Sequence, residues 1–124
     1  MKYCSTRNAA LRITVAEAIA GGLSSDGGLY LPVSVPRLTE KELEELCPLS
    51  YRERAERILA LYLDDFGAEE IKSFCAAAYG EKYDAREIAP LRVHDESTAF
   101  LELWHGPTCA FKDMALQIDR KSVV

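Results

Sequence analysis

Apolar and polar positions follow a helical spacing over most of the first two-thirds of the chain. Apolar residues recur three and four positions apart between Tyr51 and Phe66, which is typical of an amphipathic helix. The same spacing returns between Ile71 and Ala78 and ends before Gly80. The pattern predicts helices over residues 15–20, 40–46, 51–65 and 68–78. Helices that follow one another with short links favour a small bundle.

Three of these helices are preceded by a capping box, a Ser or Thr followed three residues later by Glu. The hydroxyl accepts a hydrogen bond from the Glu backbone N–H, and the carboxylate reaches back to the first residue. The boxes are Thr14–Glu17, Thr39–Glu42 and Ser50–Glu53. Gly67 follows the third helix and is predicted to cap its C-terminus.

Short β-like runs separate and follow the helices. Asp26-Gly27 predicts a turn before an apolar run, and a second change of composition occurs near Pro90. The strands are predicted at residues 2–6, 29–31, 91–94 and 98–104. The last two would form a β-hairpin, and a final helix would begin near Ala110. The fold class predicted from these elements is α+β.

The composition is that of an ordinary globular protein. Of 124 residues, 48% are apolar and 28% are charged. The net charge of −5 speaks against a nucleic-acid partner, which attracts a basic surface. No apolar run of about 18 residues is present, so no membrane partner is expected. The N-terminus has no apolar secretory segment, and we therefore expect a cytoplasmic protein.

The four cysteines do not indicate a metal site. Cys4, Cys47, Cys75 and Cys109 contain no C-x-x-C pair, which a zinc ribbon or knuckle would need. They are expected to remain free thiols, because disulfides are rare in cytosolic proteins.

A lysine near the end of the chain is the strongest candidate for chemistry. Gly106-Pro107 predicts a turn, and Thr108 is placed to cap the helix behind it. Lys112 would then lie in the first helical turn, where the helix dipole disfavours an ammonium. If Phe111 and Met114 partly desolvate it, the neutral amine could condense with an aldehyde. The alternative is a surface lysine on an amphipathic helix.

Three motifs resemble those of threonine synthase, a pyridoxal-phosphate enzyme of the tryptophan-synthase β-like fold. They are Tyr-Cys-Ser-Thr-Arg at 3–7, the segment at 17–32 that contains Asp-Gly-Gly-Leu-Tyr, and His-Gly-Pro-Thr-Cys-Ala-Phe-Lys-Asp at 105–113. The chain departs from the family pattern at Asn8, usually Gly, and at Cys109, usually a large apolar residue. The resemblance implies a mainly helical N-terminal domain over 1–88. The first hairpin and helix of the catalytic domain would follow over 89–118.

The resemblance also implies roles around the lysine. Lys112 matches the residue that binds pyridoxal phosphate covalently, and Phe111 matches its neighbour at the cofactor. Thr108 and Asp113 belong to the same motif, and Asp113 is expected to be structural because an acid suits a helix N-terminus. His105 borders this loop and is expected to orient it rather than to act as a general base.

Five further residues belong to the two N-terminal motifs. Ser5, Thr6 and Arg7 match a motif whose role the resemblance leaves open. Arg7 could bind a substrate phosphate or form a structural ion pair. Gly27 and Gly28 are expected to serve a tight turn.

The implied reaction converts O-phospho-L-homoserine and water to L-threonine and phosphate. Such an enzyme also needs a phosphate cradle, normally a Gly-rich loop at a helix N-terminus, and none follows Lys112. The chain is therefore expected to be a truncated, inactive fragment that exposes Phe100, Leu103 and Leu116. Residues 119–124 are predicted to be a non-native tail, because they resemble a translated sequencing adapter.

Two alternatives to this function remain open. One is a threonine-synthase-like pyridoxal-phosphate protein that acts on another phosphorylated substrate. The other is a non-catalytic helical domain that serves as a binding or capping module.

Overall fold

The computed structural model describes residues 1–122, with side chains described up to Asp119. The elements are β1 (Tyr3–Ser5), α1 (Val15–Gly21), β2 (Tyr30–Pro32), α2 (Glu40–Leu46), α3 (Tyr51–Ala60), α4 (Ala68–Ala78), β3 (Leu91–Val93), β4 (Ala99–Leu101) and α5 (Asp113–Ser122). This order confirms the predicted α+β class. The predicted tail, 119–124, ends outside the described residues.

The three capping boxes form as predicted. The hydroxyls of Thr14, Thr39 and Ser50 accept from the N–H groups of the matching Glu at 3.2, 3.3 and 3.3 Å. Each Glu carboxylate in turn accepts from the N–H of the capping residue at 2.7–2.8 Å. These bonds satisfy end groups that a helix cannot pair internally, so they set the starts of α1, α2 and α3.

Helix α3 is shorter than predicted, and the role of Gly67 is different. The helix ends at Ala60 instead of continuing to 65, and Gly67 is the N-cap of α4. The N–H of Gly67 donates to Glu70 Oε2 at 2.7 Å. In the connection, Asp65 accepts from the N–H of Ala16 in the first turn of α1 at 3.0 Å. The connection between α3 and α4 therefore supplies a carboxylate that pairs with the N-terminus of another helix.

The strands form two separate antiparallel pairs within the described residues. In the first, β1 and β2 are joined with Cys4 opposite Leu31. In the second, β3 and β4 are joined with Arg92 opposite Phe100. Strand β4 ends at Leu101 rather than at 104, because Pro90 has no N–H with which to extend the ladder.

The core lies where α4 packs between α3 and α5. Its buried residues are Val15, Leu63, Ile71, Cys75, Ala78, Tyr79, Tyr83 and Ile88. The hydroxyl of Tyr79 donates to the carbonyl of Met114 at 2.7 Å, which fixes α5 to α4. Helix α2 contributes no buried residue and lies at the periphery. None of the helices described in residues 1–122 has the length and apolar character of a bilayer-spanning segment.

The cysteines carry free thiols, as predicted. Cys75 is fully buried in the core, and burial raises the pKa of its thiol to about 11. Cys109 is exposed in the loop that precedes α5.

Candidate functional site

The lysine lies at the end of a loop that joins β4 to α5; residues 105–112 of it are here called the lysine loop. Helix α5 begins at Asp113, later than the predicted start near Ala110. Cys109 has a φ of +57°, a left-handed conformation that a helix cannot include. The Lys112 carbonyl accepts from the N–H of Leu116 at 2.9 Å, so Lys112 is the residue before the helix and not part of its first turn.

Asp113 anchors the loop from the helix side. The Thr108 N–H donates to Asp113 Oδ2 at 2.8 Å, and the Thr108 hydroxyl donates to both carboxylate oxygens at 2.9 and 3.0 Å. The predicted cap is thus reversed, because the helix residue accepts and the loop residue donates. Asp113 is 2% exposed. Its pKa is lowered, chiefly by the hydrogen bond from the Thr108 N–H.

Gly106 allows this anchor to close. A Cβ at this position would lie 2.6 Å from both Cβ and Oδ2 of Asp113, so no larger residue fits without a shift. The Gly106 carbonyl also accepts from the N–H of Cys109 at 3.0 Å. The lysine loop is therefore fixed by close packing as well as by hydrogen bonds.

The described residues leave the lysine side chain open to solvent. Lys112 is exposed, and Phe111 is 66% exposed. Met114 turns towards the core, where its sulfur lies 3.5 Å from the Tyr51 hydroxyl. The condition that Phe111 and Met114 partly desolvate Lys112 is therefore not met within this chain, because the amine is exposed.

His105 connects the lysine loop to two other segments. Its Nδ1 lies 2.5 Å from Asp84 Oδ1, in the connection between α4 and β3. Its Nε2 lies 2.8 Å from Glu102 Oε2, just after β4. The pKa of His105 is raised, first by the hydrogen bond to Glu102 and then by that to Asp84. This arrangement agrees with an orienting role.

The sequence offers a signal for only one of these two carboxylates as a partner of the histidine. Glu102 is three residues from His105, a separation that could have suggested a contact. Asp84 is 21 residues away, on a segment without a regular pattern, and carries no such signal.

The N-terminal motif forms a cluster of hydrogen bonds within residues 5–29, here called the N-terminal cluster. The buried Ser5 hydroxyl donates to Asp26 Oδ1 at 2.8 Å and accepts from the Arg7 N–H at 3.1 Å. Thr6 pairs with Leu29 through its N–H at 2.9 Å and its hydroxyl at 3.0 Å. Arg7 Nη1 donates to the main-chain carbonyl of Asp26 at 2.9 Å, and the charge of Arg7 contributes to the lowered pKa of the Asp26 carboxyl.

Gly27 and Gly28 form the turn at the centre of the N-terminal cluster. Gly27 has a φ of +75°, which favours glycine. A Cβ on Gly28 would lie 2.1 Å from the Ser5 hydroxyl oxygen. The N–H of Gly28 donates to Asp26 Oδ1 at 2.8 Å, and this bond is the main cause of the lowered pKa of Asp26. The hydrogen bonds described for Ser5, Thr6 and Arg7 all stay within residues 5–29.

Replacing Gly28 by alanine is expected to lower the free energy of unfolding by about 1–3 kcal/mol, because the new methyl group overpacks the buried Ser5 hydroxyl. Urea unfolding followed by circular dichroism measures this loss. Gly21→Ala is the matched control, because a Cβ there makes ordinary contacts of 3.5 Å or more with Tyr30. Equal urea midpoints for the two variants would show that the turn has room to adjust.

Comparison with known proteins identifies the family. A sequence profile of the family described as "Threonine synthase N terminus" matches residues 2–79. The chain belongs to the threonine synthase family. The matched residues include the N-terminal cluster. The lysine loop lies after the matched residues along the chain.

Similar threonine synthases align with nearly the whole chain. The threonine synthase of Pseudomonas aeruginosa is 40% identical over 120 residues, which cover 95% of this chain and 25% of that protein. That of Corynebacterium glutamicum is 37% identical over 124 residues, covering 95% and 26%. Threonine synthase-like 1 of Homo sapiens is 39% identical over 106 residues, covering 83% and 14%.

Solved structures of threonine synthases share the fold. The crystal structure of PLP-bound threonine synthase from Brucella melitensis superimposes with a TM-score of 0.92 at 36% identity, covering 99% of this chain and 26% of that one. The yeast enzyme gives 0.88 at 33% identity, covering 97% and 25%. The chain therefore spans about a quarter of the length of these threonine synthases.

Proposed function

We propose that this chain forms the N-terminal part of a pyridoxal-phosphate-dependent threonine synthase, a lyase that converts O-phospho-L-homoserine and water to L-threonine and phosphate. Lys112 is the residue that binds the cofactor covalently. The observation that carries this proposal is a lysine at the end of a rigid loop in a chain that matches threonine synthases over 95% of its length. One of these, the B. melitensis enzyme, was crystallised with bound PLP. As part of an amino-acid biosynthetic enzyme, the chain is proposed to work in the cytoplasm.

The lysine loop fits covalent attachment of an aldehyde cofactor. Lys112 presents an accessible primary amine, and the exposed ring of Phe111 lies beside it. When bound, pyridoxal phosphate supplies an electron sink for the carbanions of such reactions. In this chain, Gly106, Thr108 and Asp113 fix the backbone that leads to Lys112, and the released amine can carry a proton to or from the substrate.

The lysine loop does not fit the cofactor phosphate. Its one glycine is Gly106, and the space above that residue is occupied by the Asp113 side chain. A phosphate cradle requires several free backbone N–H groups at a helix N-terminus. We therefore assign the cradle to the three-quarters of the relatives' length that this chain does not span.

Exposed apolar side chains support the proposed division into 1–88 and 89–118. Between residues 91 and 111, the large apolar side chains that are at least half exposed are Leu91, Val93, Phe100, Leu101, Trp104 and Phe111. The predicted exposure is confirmed for Phe100 at 55% and Leu116 at 49%. It is wrong for Leu103, which is partly buried. We propose that the rest of the catalytic domain covers these side chains.

A chimera tests the proposed function. Residues 1–118 of this chain replace the matching N-terminal quarter of the P. aeruginosa enzyme, and release of phosphate from O-phospho-L-homoserine is measured. We expect L-threonine and phosphate as products. Lys112 and its neighbours from this chain should complete the active site that the rest of the P. aeruginosa enzyme forms. The unmodified P. aeruginosa enzyme is the positive control. A folded chimera that binds pyridoxal phosphate but releases no phosphate would contradict the proposal.

A further inference from the structure

His105 is held between two carboxylates that come from different segments. Asp84 approaches Nδ1 at 2.5 Å and Glu102 approaches Nε2 at 2.8 Å. The backbone adds a third link, because the N–H of Asp84 donates to the His105 carbonyl at 3.0 Å. The His105 side chain is 16% exposed and that of Glu102 is 18% exposed, so both are largely shielded from water.

This geometry determines the charge of the ring. A carboxylate only accepts hydrogen bonds, whereas a neutral imidazole has one donating and one accepting nitrogen. Both short contacts can be hydrogen bonds at the same time only if both nitrogens carry protons. Beyond Glu102 lies Arg92, whose Nε is 3.7 Å from Glu102 Oε2. The four side chains therefore alternate in charge from Arg92 to Asp84.

We propose that His105 is a positioning residue, which in its imidazolium form ties the lysine loop to Asp84 in the α4–β3 connection and to Glu102 after β4. It acts on the reaction only through the loop that carries Lys112. The link to catalysis rests on the proposed function, whereas the link between His105 and the order of the loop does not.

The tie depends on pH in a defined direction. The raised pKa of His105 means that the folded state holds this proton more tightly than the unfolded chain, whose histidine has a pKa of about 6.5. The stabilisation is fully present below that ordinary value and is lost as the pH rises through the raised pKa. Above it, one carboxylate faces a ring nitrogen that no longer donates, and the loop loosens.

The chain contains a built-in probe of this protonation. Trp104 is its single tryptophan, and the Trp104 ring centroid lies 5.6 Å from that of His105. An imidazolium quenches a neighbouring indole more strongly than a neutral imidazole does. Fluorescence measured between about pH 5 and pH 9 should therefore follow the charge of His105.

The first measurement is this titration, supported by NMR of the two histidine rings in the 124-residue chain. We expect a fluorescence midpoint above 6.5, and we expect Glu102→Gln and Asp84→Asn each to lower it. Glu96→Gln removes a carboxylate from the exposed hairpin turn and is the matched control that should leave the midpoint unchanged. A midpoint at or below 6.5, or one that neither Glu102→Gln nor Asp84→Asn moves, would overturn the proposal.

The second measurement tests the effect on the loop, through hydrogen exchange of the Thr108 and Cys109 amides. Relative to intrinsic rates, we expect their protection to fall about 2- to 5-fold as the pH passes the midpoint, a modest effect because Asp84 is largely exposed. His105→Arg keeps its charge throughout and should keep the protection; His105→Gln should lack it at every pH. Protection that stays constant in the unmodified chain would refute the positioning role. Both measurements use the chain without cofactor or substrate. They therefore test the link between His105 and the loop independently of whether the chimera is active.

Discussion

Replacing Lys112 by alanine or arginine is expected to remove covalently bound pyridoxal phosphate from the chimera and to lower its turnover by about 1,000-fold or more. Alanine has no amine, and a guanidinium stays protonated and cannot attack an aldehyde. Loss of a positioned proton-transfer group alone typically costs about 10²–10⁴-fold. Borohydride reduction followed by peptide mapping locates the adduct, and phosphate release gives the turnover.

The control for this experiment is Lys72→Ala, at an exposed position on α4. It removes one amine without touching the lysine loop and should leave both adduct and turnover unchanged. An adduct that persists in Lys112→Arg, on any other lysine, would show that Lys112 has been misassigned.

The 124-residue chain by itself is expected to release no phosphate above background when incubated with pyridoxal phosphate and O-phospho-L-homoserine. Lys112 and its neighbour Phe111 are both exposed, so the amine lies open to water instead of in a desolvated pocket that would activate it. Gly106 offers no room for the cofactor phosphate, because Asp113 fills the space above it. The covalent link would therefore form without the contacts that hold and desolvate the cofactor.

The chimera provides the positive control for this second prediction, and the Lys112→Ala form of the isolated chain provides the background. Phosphate release that depends on Lys112 in the isolated chain would show that a complete site assembles within these residues or between copies of them. The exposed apolar side chains between residues 91 and 111 favour association of copies of the chain. Measuring activity against protein concentration shows whether such association produces the activity.

The N-terminal motif and the lysine motif resemble family motifs equally well, yet the structure gives them different kinds of contact. The side chains of Ser5 and Arg7 both donate hydrogen bonds to Asp26, and the Ser5 hydroxyl also accepts from the Arg7 N–H. Lys112 accepts hydrogen bonds at its backbone carbonyl from α5, and its side chain is exposed. A motif in the sequence therefore locates residues that belong together, whereas the direction of the side chains distinguishes residues that bond to one another from a lysine that is open to solvent.

The sequence by itself determined the features that depend on neighbours within a few residues. The capping boxes at Thr14, Thr39 and Ser50 form because the donor and the acceptor lie three positions apart in any helix. The turn at Gly27 forms because glycine accepts a positive φ at little cost. Helical periodicity likewise placed α4 and its buried face, including Ile71 and Cys75, before any tertiary contact was known.

Only the tertiary structure decided the features that depend on distant partners. Helix α3 ends at Ala60, and Asp65 in the connection that follows accepts from the N–H of Ala16 in α1, 49 residues away, a contact that no local pattern contains. The pairing of His105 with Asp84 and the exposure of Lys112 are of the same kind, because they depend on which segments the folded chain brings together. Local spacing sets which contacts a residue can make with its neighbours, but the packing of α4 between α3 and α5 selects the partners across the chain.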